Sequence, residues 1–149
     1  MSDEARRAAV VALVGLAGSP DCRDRADAGG ALARFAELAE AGETLLRLVL
    51  DPEDTFVTRV TAEALLRRGD VVGLAVVASA LAAADVGHVD WIHAAVLDVF
   101  GVFAGDRDAA VRECGVLGRD ADERTRRGAR ELAAALAAIN PVLHPARDD

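Results

Sequence analysis

Apolar residues return every three to four positions along most of the chain, in short blocks divided by polar junctions. That spacing lines one face of a helix. It predicts eight helices, near residues 4–18, 22–36, 42–50, 55–68, 70–84, 87–100, 106–118 and 121–137. Strand-like alternation is missing, and "DVVGLAVVASALAAA" (70–84) is too long and too rich in alanine to be a strand. The junctions carry helix punctuation. "GSPD", "DPED", "RRGD" and "GRDADE" precede the second, fourth, fifth and eighth helices. Aspartate at such a place accepts hydrogen bonds from free backbone N–H groups and suits the positive end of the helix dipole. Pro20 and Pro52 fit a break before a helix or its first turn. Gly69 and Gly118 suit helix ends.

The helices also repeat. Those containing "DRADAGGALARFAE" (24–37), "VTRVTAEALLRRGD" (57–70), "HVDWIHAAVLDVF" (88–100) and "RTRRGARELAAALA" (124–137) align on Leu32, Leu65, Leu97 and Leu132, spaced 33, 32 and 35 residues apart. Three positions before each leucine stands a small residue, Gly29, Ala62, Ala94 or Ala129, as close helix approach requires. The arrangement predicted is one domain over 1–140, built from helix pairs at 3–37, 41–68, 70–103 and 106–138. The segment 141–149, with Pro141 and Pro145, is expected to leave it as an extended or disordered tail. One pair cannot bury its apolar face alone, whereas stacked pairs can. The fold class expected is therefore all-α, a right-handed α–α superhelix (α-solenoid) of about four antiparallel pairs.

The segment "LRLVLDPEDTFVTRVTAEALLRRGD" (46–70) resembles a HEAT repeat: an apolar first helix, an Asp-Pro turn, a second helix with A-x-A-L and a closing Gly-Asp. "DADERTRRGARELAAAL" (120–136) repeats the second half, and the first and third pairs match more loosely. The unit is shorter than the roughly 40–47 residues of HEAT and armadillo repeats, and is similar to the short HEAT-like repeats of bacterial proteins. The signatures of tetratricopeptide and ankyrin repeats are absent. The resemblance implies that the second helix of each pair lines a concave face.

Composition narrows the partners. The net charge is −8, there is no lysine, and residues 51–105 hold eight acids against Arg59, Arg67 and Arg68. This balance opposes general binding to nucleic acid or to anionic membranes. No apolar run approaches the roughly 20 residues of a membrane span, and "MSDEARRAAVVALVGLAG" reads as the first amphipathic helix, its Asp3 and Glu4 unlike the basic start of a leader. Cys22 and Cys114 are far apart and lack metal-ligand spacing, which suits free thiols in a cytoplasmic protein.

Candidate chemistry is sparse. No zinc-protease, nucleophile-elbow or phosphate-loop motif occurs, so no catalytic residue, metal or cofactor is expected. His88 and His93 lie about 140° apart around a helix and cannot share one ligand. Asp90 and His93 are close enough to meet but supply only half a metal site. Six positions before the aligned leucines come Ala26, Arg59, Trp91 and Arg126; two before come Gly30, Glu63, Ala95 and Arg130. Both rows point away from the leucine face. Trp91 either stands exposed between arginines, which is hot-spot composition, or packs under a neighbouring turn. The expected function is a non-catalytic interaction module that binds a protein or peptide through Arg59, Glu63, Trp91, Arg126 and Arg130. An immunity-like inhibitor of a basic effector, or an enzyme on a HEAT-like scaffold, are the alternatives.

Overall fold

A computed structural model describes residues 1–145. Among them are eight α-helices and no strand beyond an isolated bridge: α1 (Asp3–Ala17), α2 (Cys22–Leu32), α3 (Ala39–Val49), α4 (Thr55–Arg67), α5 (Val71–Ala83), α6 (Val86–Phe100), α7 (Ala104–Leu117) and α8 (Glu123–Ala138). The protein is all-α. No helix of the described residues is long and apolar enough to cross a membrane.

The predicted punctuation works as caps. The carboxylates of Asp21, Asp54, Asp70 and Asp122 accept from backbone N–H groups at the starts of α2, α4, α5 and α8. Asp85 does the same for α6 and the Ser2 hydroxyl for α1. Gly69 closes α4 with φ of 67°, the left-handed conformation that favours glycine.

Two runs of neighbours organise the helices. α1, α3 and α5 pack in one row, and α2, α4 and α6 in the other. On α2, α4, α6 and α8 the buried positions recur in one register: Arg25, Thr58, Ile92 and Thr125, then Ala28, Thr61, Ala95 and Gly128, then Gly29, Ala62, Val96 and Ala129. The spacing is 33, 34 and 33 residues, so the leucine alignment slips by two in α6. Leu32, Leu65 and Leu132 are wholly buried, but Leu97 is 56% exposed, and Val99 takes the equivalent place. The reason is geometric. Ile92, Ala95, Val96 and Phe100 already form the buried stripe of α6, and Leu97 falls on its far side.

The last pair departs from a regular stack. α8 makes its widest contact with α5, not with α6, and α6 leans on α4 while only grazing α5 and α7. α5 has no charged residue, only Ala83 of its length is exposed, and Gly73, Leu74, Val77, Ala78, Ala80 and Leu81 are buried against its neighbours. Small residues permit the approach: a Cβ at Gly128 would overlap the backbone carbonyl of Ala78. Ser79 and Thr125 hydroxyls, 3.1 Å apart, and Arg127, donating to the Ala82 carbonyl at 3.1 Å, complete the joint.

The start of the expected tail is extended and held in place. The N–H groups of Val142 and Leu143 donate to Gly101 and Val102, and Ala104 donates to Leu143 at 2.8 Å. Pro141 is buried. Arg107 donates to the Ile139 carbonyl at 2.7 Å, satisfying the end of α8. The rest of the tail, 146–149, lies outside the described residues.

Candidate functional site

The five residues expected to meet a partner separate into two places. Arg59 and Glu63 stand one turn apart on α4, and Trp91 lies on the adjacent α6. The Arg59 guanidinium carbon is 5.9 Å from the centroid of the Trp91 ring, within the range of a cation–π contact. Arg59 Nε donates to Glu63 Oε1 at 3.3 Å, and Nη2 donates to Asp98 Oδ2. Asp98 follows Trp91 by seven residues, so two helical turns bring both to the same side of α6. The hydrogen bond to Asp98, then that to Glu63, raises the Arg59 pKa. The same Arg59 contact holds the Asp98 carboxyl below the usual range. Trp91 is 38% exposed, with the Arg59 guanidinium beside its ring.

Arg126 and Arg130 do not join this cluster. Arg126 Nη1 donates to the carbonyls of Asp120 at 2.7 Å and Ala121 at 3.0 Å, tying down the loop before its own helix. Arg130 is exposed on α8, whose main neighbours are α5 and α7. With the buried register, the position on α6 equivalent to Arg59 and Arg126 is His93, and that equivalent to Glu63 and Arg130 is Leu97. Trp91 meets Arg59 because α4 and α6 lie side by side, not because the two occupy equivalent positions.

Sequence reasoning assigned Asp98 no role beyond its charge; its seven-residue spacing from Trp91 was the available signal. A second junction went unread as well. Buried Arg25 binds Asp51 through both oxygens, at 3.0 and 3.2 Å, and donates to the Ser19 and Pro20 carbonyls. Burial alone would raise the Asp51 pKa, but the Arg25 bond and the backbone N–H groups of Asp54 and Glu53 outweigh it and hold it low. The Asp51 carbonyl lies 2.8 Å from His88 Nε2, and Asp85 Oδ1 lies 2.8 Å from His88 Nδ1. Both partners are acceptors, so the ring satisfies both only when each nitrogen carries a proton. The Asp51 carbonyl first, then Asp85, raises the His88 pKa against the opposing effect of burial. This junction ties the start of α6 to α2 through the α3–α4 loop.

Asp90 and His93 are exposed, and no group of three or more His, Cys, Asp or Glu is placed to hold a metal among the described residues. Cys22 and Cys114 are free thiols. Burial pushes Cys114 up to about 11, and the hydrogen bond to Asp54 leads the causes that raise Cys22. Both are weak nucleophiles near neutral pH.

Fold and site together define an all-α protein with a braced aromatic–guanidinium cluster across two neighbouring helices. Compared with known proteins, the chain matches no family model and no curated protein.

Proposed function

We propose that this chain is a non-catalytic protein-interaction module, a short HEAT-like α-solenoid that binds a protein or peptide on the face shared by α4 and α6. One observation carries the reading: Trp91 is partly exposed and lies beside the Arg59 guanidinium, itself bonded to Glu63 and Asp98. A preorganised Trp–Arg pair is typical of the few residues that dominate binding energy. The solenoid reading is supported by the two helix rows and the recurring buried register, with the fourth pair turned onto α5. Free thiols agree with a cytoplasmic setting.

The acids of 51–105 favour this reading over inhibition of a basic effector. Asp51, Glu63, Asp70, Asp85 and Asp98 are already engaged by arginines or by His88, which leaves little free acidic surface there. The test places a photo-crosslinking residue at exposed position 93 and compares the wild type with Trp91→Ala and Arg59→Ala. A partner that crosslinks through α6 and binds Trp91→Ala at least about tenfold more weakly supports the proposal. A crosslinked partner that binds all three proteins equally overturns it.

A further inference from the structure

A cleft of about 420 Å³ opens where the end of α4, the start of α5, the end of α6 and α7 converge. It exists because α6 leans onto α4 and makes little contact with α5 and α7, leaving the core open at that corner. Its floor is apolar, with buried Leu66, Leu74, Phe100 and Ala110 and the half-buried Val99. Its charged lining is Arg67, Asp106 and Glu113. Glu113 is the most enclosed of the three, and Arg67 and Asp106 are exposed. None of the three takes part in an ion pair among the described residues. Burial is the main cause that raises the Glu113 carboxyl and the nearby Asp70 adds to it; the charge of neighbouring Arg112 opposes them, and no hydrogen bond does. An apolar floor with a few polar groups converging on it is the usual composition of a small-ligand site, and the volume lies in the lower part of the usual range.

We propose that this cleft binds a small organic amine with a hydrocarbon body, its ammonium held by Glu113 and attracted by the second carboxylate of the lining, Asp106, and its hydrocarbon laid on Leu74, Val99 and Phe100. Charge complementarity selects the amine. Two carboxylates outnumber one guanidinium, and the deeper-set charge is a carboxylate. An arriving ammonium gives Glu113 the donor that the protein withholds, and a charged donor on a carboxylate is a strong hydrogen bond. No residue lining the cleft belongs to the Arg59–Glu63–Trp91–Asp98 cluster, and the proposal does not depend on the interaction-module reading.

The experiment titrates hexylamine, hexan-1-ol, hexanoate and norleucine into the full chain and follows the backbone amides of Gly69, Ala109 and Ala110 by NMR. Hexylamine is expected to bind at least about tenfold more tightly than hexan-1-ol. Glu113→Gln should remove that advantage, and Asp106→Asn should reduce it. Ala109→Phe, filling the cleft from its wall, should abolish binding of every probe. Equal binding of hexylamine and hexan-1-ol overturns the proposal, as does no binding of hexylamine at these amides. Tighter binding of hexanoate or norleucine overturns it too, because Arg67 would then set the specificity. If Ala109→Phe does not fold, the comparison of Glu113→Gln with the wild type decides alone.

Discussion

The Thr58 hydroxyl is buried in α4 without a hydrogen-bond partner among the described residues. An unpaired buried hydroxyl costs about 1–3 kcal/mol. Thr58→Val keeps the shape and removes the penalty, so a higher urea midpoint is expected, worth about 1 kcal/mol; a lower midpoint would show that the hydroxyl is satisfied. Trp91 belongs to the surface by contrast. Trp91→Ala should lower stability by less than about 2 kcal/mol, short of the roughly 3–5 kcal/mol of a buried aromatic, and a chemical melt distinguishes the two. His88 makes stability depend on pH. Its folded pKa is raised, so its stabilisation is fully present below the unfolded value of about 6.5 and is lost as pH rises through the folded value. The melting-temperature difference between wild type and His88→Ala should be largest near pH 6 and shrink towards about pH 9. A difference that stays constant over that interval contradicts the doubly protonated ring. The cluster was partly legible at this scale: Arg59, Glu63 and Trp91 were chosen from the sequence, while Asp98 and the Asp51–His88 contact were not. Asp51 and His88 are 37 positions apart, and no local spacing links them.

The starts of α2, α4, α5 and α8 were legible because an aspartate cap is a local device, complete within a turn of chain, whereas α3 and α7 begin at Ala39 and Ala104 without a side-chain cap. The register of α6 was not legible. The leucine at position 97 competes with the stripe of Ile92, Ala95, Val96 and Phe100, and the whole stripe outweighs one residue. The crossing of α8 on α5 is set at Gly128, where nothing larger than hydrogen fits against the Ala78 carbonyl. Alanine in place of glycine normally favours a helix by about 1 kcal/mol. Here Gly128→Ala should instead destabilise by about 1–3 kcal/mol, because α8 must lift from α5. Thermal melting gives the sign, and a rise in melting temperature would refute the close crossing. Gly105→Ala, on α7, meets no atom within 4 Å and is a control expected to be neutral or mildly stabilising.

Across the whole molecule, α5 is the element on which the others depend, packed against α3, α4, α7 and α8. A regular repeat array loses a terminal pair and keeps the rest folded. This chain should not. Truncation after residue 100 strips α7 and α8 from an uncharged helix, and the fragment is expected to lose its cooperative melt. A fragment that melts sharply, with dispersed amide signals, would instead establish independent repeats. The intact chain should unfold in a single transition, coincident by far-UV circular dichroism and by Trp91 fluorescence.

The sequence by itself determined the helical class, the aspartate caps and the apolar content of the core, since each depends on contacts within a few residues. It also held an unread sign of the wider arrangement: a helix with no charge on any face, α5, has to be enclosed. The tertiary structure alone decided which helix encloses it, which residue of α6 faces the core, and which of five candidate side chains share a surface. Arg59 and Trp91 meet while Arg126 and Arg130 stand elsewhere, because a helix pattern specifies which face is buried but not which neighbour buries it. That choice is made by backbone approach at small residues such as Gly128, where steric fit between distant segments selects the partner.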